Sequence, residues 1–148
     1  MRQSGHEGWD ELVLLAGPVV RGDGRGRQLG YPTANVAVPD AEMPPESELP
    51  DGVYAGVLRR ADGSLEAAAV SIGRRPTYYG RGAARLVEAY LLDASPNLYD
   101  EVVELLVGPF VRGQRRFSSS EELVAQMAAD VAAIRRLSPQ RVLPSSWG

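Results

Sequence analysis

Residues 53–72 read VYAGVLRRADGSLEAAAVSI, two apolar-rich runs held apart by a turn. The runs are Val53–Arg59 and Leu65–Ile72, and between them lies Ala61-Asp62-Gly63-Ser64. Asp-Gly is a strong hairpin signal, because a tight turn that matches strand twist needs the positive φ that these residues tolerate. The centre of the chain is therefore predicted to be an antiparallel strand pair.

The same pattern extends outward. Leu12–Val20 (LVLLAGPVV) is apolar and rich in branched residues, Thr33–Val38 (TANVAV) alternates, and Leu86–Leu92 and Val102–Val107 supply two more strands. Six short strands with few helices predict a mainly β protein, a small closed antiparallel barrel. Pro39–Gly52 holds four prolines and several acids and reads as a long, mobile loop. From Ser119 the period changes. Leu123, Met127, Val131, Ile134 and Leu137 recur at three- and four-residue steps and form one helix face. Ser119 with Glu122 is a capping-box pattern at the start of that helix, and Pro139 lies beyond its end. The stripe reads as a packing surface against the barrel. The expected organisation is a flexible leader (1–11), one barrel-plus-helix domain (12–138) and a short tail (139–148), without repeats or low-complexity tracts.

Composition narrows the chemistry by what is missing. The 148 residues include no Cys, which removes thiol nucleophiles, Fe–S clusters, disulfides and Cys-ligated zinc. One His, His6 in the leader, argues against a His-based triad or a multi-His metal site. All 16 basic residues are Arg, so nucleotide sites that place a Lys on the phosphates are disfavoured. Acid–base work must fall to Asp, Glu or Tyr, and a metal must take oxygen ligands. A net charge of −3 suggests neither nucleic acid nor membrane as partner. No apolar run approaches the roughly 20 residues of a membrane span, and the N-terminus has no signal-peptide core. A cytoplasmic protein, monomeric and serving small molecules, is expected.

Three segments could carry chemistry. In Arg21-Gly22-Asp23-Gly24-Arg25-Gly26-Arg27, alternating glycines would let backbone N–H groups turn toward an anion, and the arginines add charge. Taken alone, a solvated turn is the better reading, since a strand and not a helix follows. In Tyr31-Pro32-Thr33-Ala34-Asn35, Thr33 and Asn35 share a strand face and offer a hydroxyl and an amide carbonyl, hard donors suited to Mg²⁺. Plain backbone hydrogen bonding by these two side chains fits equally well. In Leu86–Leu92, Glu88 shares a face with Leu86, Tyr90 and Leu92, opposite Val87, Ala89 and Leu91. It reads either as a water-facing acid or as a general base in a cleft.

Together these segments reach a resemblance. The ordered set Gly22…Arg25-Gly26-Arg27-x-Leu29-Gly30-x-Pro32-Thr33-Ala34-Asn35, Gly52-Val53-Tyr54-Ala55, Ser71-Ile72-Gly73-x-x-Pro76-Thr77, Val87-Glu88-x-x-Leu91-Leu92, Leu98-Tyr99, Arg112 and Phe117 resembles the riboflavin kinase family. It runs from about Gly17 to Leu137, and Pro-Thr-Ala-Asn is its most diagnostic piece. The resemblance implies a six-stranded Greek-key barrel with a C-terminal helix, and phosphorylation of the ribityl 5′-hydroxyl of riboflavin by Mg-ATP to give FMN and ADP. It implies Glu88 as catalytic base and Thr33 and Asn35 at Mg²⁺ and the nucleotide phosphates. It further implies Gly22, Gly24, Arg25, Gly26 and Arg27 on the ATP loop, and Leu91, Asp93 and Tyr99 bordering the nucleotide. Arg112, Arg115 and Phe117 would belong to a loop closing over the flavin.

The chain departs from the family pattern in places. Asp100 stands where Gly usually follows Leu-Tyr, Gln114 where an acid often follows the loop Arg, and Tyr90 where His is common. With about sixteen residues before the barrel there is no room for the adenylyltransferase domain of many bacterial relatives, so FMN and not FAD is the expected product. The alternatives are a non-catalytic flavin-binding or regulatory module on the same barrel, and a kinase for another ribityl-type alcohol.

Overall fold

A computed structural model describes residues 9, 11–21, 30–74 and 85–137. Six strands and one helix make up its regular structure: β1 (Val13–Val20), β2 (Ala34–Val36), β3 (Gly52–Arg59), β4 (Leu65–Arg74), β5 (Arg85–Leu91), β6 (Val102–Arg112) and α1 (Ser120–Arg136). The strands close into a barrel in the order β1-β2-β5-β4-β3-β6, every neighbour antiparallel. Strands β3, β4 and β5 run as a meander, and β6 returns beside β3. That spatial order, fourth strand next to first, is a Greek key. The barrel, its closure and its terminal helix agree with the sequence expectation.

The lengths of β6 and β2 differ most from it. β6 continues past the expected end at Val107 through Gly108-Pro109 to Arg112, and register shifts against β3 on either side of Tyr54 absorb the irregularity. β2 is only three residues long.

Alternation fills the interior. Leu15 and Val19 of β1, Val70 and Ile72 of β4, Val87, Ala89 and Leu91 of β5, and Val103, Leu105 and Val107 of β6 belong to one buried cluster. Burial of each Val, Leu or Ile side chain among them stabilises by about 1.5–3 kcal/mol. The opposite face of β5, with Leu86, Glu88 and Tyr90, is only half-buried.

Helix α1 closes one side. Ile134 is fully buried with Ala55, Leu92 and Trp9. Trp9 falls within the stretch expected as leader, yet it is 4% exposed. Its ring lies over bare backbone at Gly108, where a Cβ would come within 2.4 Å of it, and its indole N–H donates to the Leu137 carbonyl at 2.9 Å. At the other helix end the Ser119 hydroxyl accepts from the Glu122 N–H at 3.1 Å. The reciprocal arm of the capping box is not made, since the Glu122 carboxylate is taken by the Ser118 hydroxyl and Arg115.

The Pro39–Gly52 loop, read as mobile, is tied down. It holds one 3-10 turn (Asp40–Glu42) and buries Leu49. Arg85, with a side chain 9% exposed, spends its donors on it. Nε bonds Asp51 and Nη1 bonds the Pro44 carbonyl, both at 2.9 Å, while Nη2 reaches the Leu49 carbonyl. Tyr54 adds a hydroxyl bond to the Pro50 carbonyl. A buried guanidinium needs such partners, and the loop carbonyls supply them.

Candidate active site

The ladder sets a polar row on the outer barrel face. Glu88 of β5 lies opposite Asn35 of β2 on one side and Ser71 of β4 on the other. Directly opposed residues project to the same face, so Asn35, Glu88 and Ser71 are side-by-side neighbours. Thr33, one residue before β2, donates its hydroxyl proton to Glu88 Oε2 at 2.9 Å. Two positions further along β5, Tyr90 packs its ring on Tyr31 with centroids 5.2 Å apart.

A cleft opens on each side of this row, each with a volume of about 480 Å³, within the range that holds a small molecule. The first lies between the end of β1, the Pro32–Ala34 segment and the connection after β5. Arg21, Thr33, Leu91, Asn97 and Tyr99 line it, and the Arg21 guanidinium carbon sits 4.7 Å from the centre of the Tyr99 ring. The turn that carries Tyr99 needs a left-handed residue, and Asp100 supplies it with φ of 68°. Asp is among the few side chains that accept this conformation, so the departure from glycine keeps the turn. The second cleft is lined by Asp51, Ser71, Gly73, Arg74, Leu86, Glu88, Gln114, Arg115 and Arg116.

The segment after β6 is braced by α1. Arg112 makes a bidentate pair with Asp130, Nε to Oδ1 at 2.8 Å and Nη2 to Oδ2 at 2.7 Å. Gln126 donates to Asp130 Oδ1 at 3.0 Å and accepts from Arg115 at 2.7 Å, and Arg115 also donates to Glu122 at 3.0 Å. The guanidinium carbons of Arg115 and Arg112 lie 5.0 and 6.0 Å from the Phe117 ring centre. The Ser118 hydroxyl and then the Arg115 charge hold the Glu122 carboxyl below the usual carboxylate range.

Of the residues singled out in sequence, Thr33, Glu88, Leu91, Tyr99 and Arg115 line the two clefts. Asn35 stands in the polar row. Arg112 and Phe117 do not line either cleft; Arg112 is paired with Asp130, and Phe117 packs beside Arg112 and the cleft-lining Arg115. Asp93 does not line the first, because its carboxylate takes Arg135 at 2.9 Å. Gly22, Gly24, Arg25, Gly26 and Arg27 lie outside the described residues, as do Pro76 and Thr77. Sequence reasoning missed Asp130 as a functional neighbour. A signal existed: Asp130 is three residues after Met127 and four before Ile134, so a charge sits on the apolar stripe and must be paired.

No group of three or more His, Cys, Asp or Glu stands together among the described residues, so an all-protein metal cage is not formed by them. A cation sharing its shell with phosphates and water needs fewer protein ligands. Thr33 meets that need, since its single proton is on Glu88 and its oxygen lone pairs are left over. The Asn35 side chain makes no hydrogen bond among the described residues and keeps its carbonyl oxygen available. The donor set fits a hard divalent ion. No helix among the described residues is long and apolar enough to cross a membrane.

Known proteins resemble this chain in sequence and fold. The family described as riboflavin kinase (flavokinase) matches residues 11–138. An RNA-binding riboflavin kinase, RibR, of Bacillus subtilis (strain 168) is 34% identical over 125 residues, covering 84% of this chain and 51% of that protein. A bifunctional riboflavin kinase/FMN adenylyltransferase of Pseudomonas fluorescens is 40% identical over 123 residues, covering 83% of this chain and 37% of that protein. Among solved structures, a riboflavin kinase from Trypanosoma brucei superposes with a TM-score of 0.59 at 29% identity, covering 84% of this chain and 78% of that one. The chain thus spans about half or less of the curated relatives it matches. A match along almost the whole barrel and helix, on top of the same fold, places this chain in the riboflavin kinase family.

Proposed function

We propose that this chain transfers the γ-phosphoryl group of ATP to the 5′-hydroxyl of riboflavin, giving FMN and ADP. The observation that carries the reading is the Thr33–Glu88 hydrogen bond, because its two ends belong to different clefts. A phosphotransferase needs its donor and its acceptor in adjoining sites that meet at a polar seam. The first cleft, with Arg21, Leu91 and Tyr99, suits the nucleotide. The second, with Glu88 in its wall, suits the acceptor alcohol.

Glu88 orients the 5′-hydroxyl and accepts its proton as the oxygen bonds to the γ-phosphorus. The bond from that phosphorus to the β,γ-bridging oxygen breaks, and ADP leaves with that oxygen. Thr33 and Asn35 would hold Mg²⁺ with the phosphates, and the ion when bound supplies neutralisation of phosphate charge. Thr33 also fixes one Glu88 oxygen, leaving Oε1 for the incoming hydroxyl. Arg115, held by Gln126 and Glu122, forms part of the wall that keeps the acceptor in place. The partners of this reading are small molecules: riboflavin, ATP, FMN and ADP.

Incubation of the purified chain with riboflavin, ATP and Mg²⁺, followed by chromatographic separation of the flavins, tests it. FMN is the expected product. Flavin fluorescence quenching without FMN would replace the kinase with a flavin-binding module, and neither signal would point to another alcohol.

A further inference from the structure

Gln114 lines the second cleft, and its amide is held in one orientation. Nε2 donates to Ser71 Oγ at 2.9 Å and to the Ile72 carbonyl at 3.0 Å. The Ile72 carbonyl can only accept, so the atom facing it must be the nitrogen and a flipped amide is excluded. Gly73 provides the seat, since a Cβ there would stand 3.1 Å from Nε2 and 3.4 Å from the amide carbon. Both N–H groups are thereby used, and Oε1 is the open polar atom of this side chain. Beside it, Arg115 is committed to α1, whereas Arg116 lines the cleft with no hydrogen bond or ion pair among the described residues. The wall therefore offers one fixed acceptor and one open cationic donor.

This pairing complements an N–H flanked by carbonyls, the imide edge of a pyrimidinedione ring. We infer that Gln114 is a specificity-determining residue that accepts the ring imide N–H of the flavin, with Arg116 donating to an adjacent ring carbonyl. The inference rests on the second cleft being the acceptor site. A site whose fixed polar atom is left facing a methyl group loses both the hydrogen bond and the fit, so discrimination should be roughly tenfold or more.

The test compares kcat/KM for riboflavin and for riboflavin methylated at the ring imide nitrogen, using wild type and Gln114→Met. Wild type should favour riboflavin roughly tenfold or more, and the variant should bring the ratio close to one. A wild type that turns over neither flavin would sink the assignment of the cleft itself. Turnover of riboflavin with no preference, or with a preference that Gln114→Met leaves intact, would overturn the role of Gln114 alone. Melting temperature and the KM for ATP report whether the variant is folded. Gly73→Ala gives a second route: Gly73 is not among the glycines with positive φ, so its methyl would displace the amide without changing its atoms. The preference should fall there too, and an unchanged ratio would count against the assignment.

Discussion

The Thr33 hydroxyl donates to the Glu88 carboxylate at 2.9 Å, and one hydrogen bond thereby joins the walls of two clefts. The direction of that bond matters. Threonine has a single proton to give, so giving it to Glu88 leaves the oxygen lone pairs of Thr33, which lines the first cleft, uncommitted by that bond. It also occupies one oxygen of the Glu88 carboxylate, which lines the second cleft, and leaves the other outside that bond.

Glu88→Gln should therefore lower kcat about 100-fold or more while riboflavin still binds. Stopped-time assays of FMN formation and flavin fluorescence titration separate the two quantities. Near-normal turnover would remove Glu88 as the base.

Asn35→Ala should raise the Mg²⁺ concentration needed for half-maximal activity, because an uncommitted oxygen donor next to Glu88 is lost. The measurement is a metal titration at saturating ATP. A superimposable curve would exclude Asn35 from the ion.

Asp130→Ala removes the carboxylate under Arg112, which is buried to 5% exposure and makes two charge-assisted bonds. Stability should fall by about 3–5 kcal/mol in urea unfolding, the usual cost of orphaning a buried partner. In the folded fraction the KM for riboflavin should rise and that for ATP should hold. Asp130→Asn, which keeps the shape, should be the milder change. Equal rises in both KM values would mean that the helix does not act on the acceptor cleft in particular.

Asp100→Gly should change stability by no more than about 0.5 kcal/mol, since relief at φ 68° is offset by added freedom in the unfolded chain. Asp100→Val should cost about 1–2 kcal/mol, because a branched side chain does not accept the left-handed region. Thermal melts of the pair decide the matter, and a tolerated Val would show that the turn can rearrange.

Bonds from Arg60 and then from the Ala61 N–H hold the Glu101 carboxyl below its ordinary value of 4.5. A lowered folded-state pKa contributes stability that is fully present above the ordinary value and is lost as pH falls through the lowered one. Glu101→Gln should thus flatten the acid limb of a stability–pH curve below about pH 4.5 and leave its slope near neutrality unchanged. An acid limb identical to wild type would refute this link.

Much of this protein was legible because its strands obey a two-residue period. Val87, Ala89 and Leu91 turn inward as alternation requires, which by itself puts Glu88 outside. The capping Ser119 and the Asp62-Gly63 hairpin are local chemistry and could be read locally. What could not be read depends on residues far apart in sequence. Arg85 anchors a loop 34 to 41 residues away, and Gln114 reaches Ser71 across 43 positions. No short-range pattern encodes such pairings, so the loop looked mobile and Gln114 looked only like a departure from its relatives. Asp130 is intermediate, since its place on an apolar stripe announced a partner without naming it.

The brevity of β2 has a consequence for folding as well as for catalysis. The seam that shuts the barrel consists of two register pairs to β1 and three to β5, and Asn35 is a member of both sets. Whatever Thr33 and Asn35 hold is then a rivet through the weakest joint of the wall. Binding there and opening of the barrel are opposed equilibria, so saturating nucleotide and metal should slow amide hydrogen exchange at Ala34–Val36 more than at the long β3–β4 ladder.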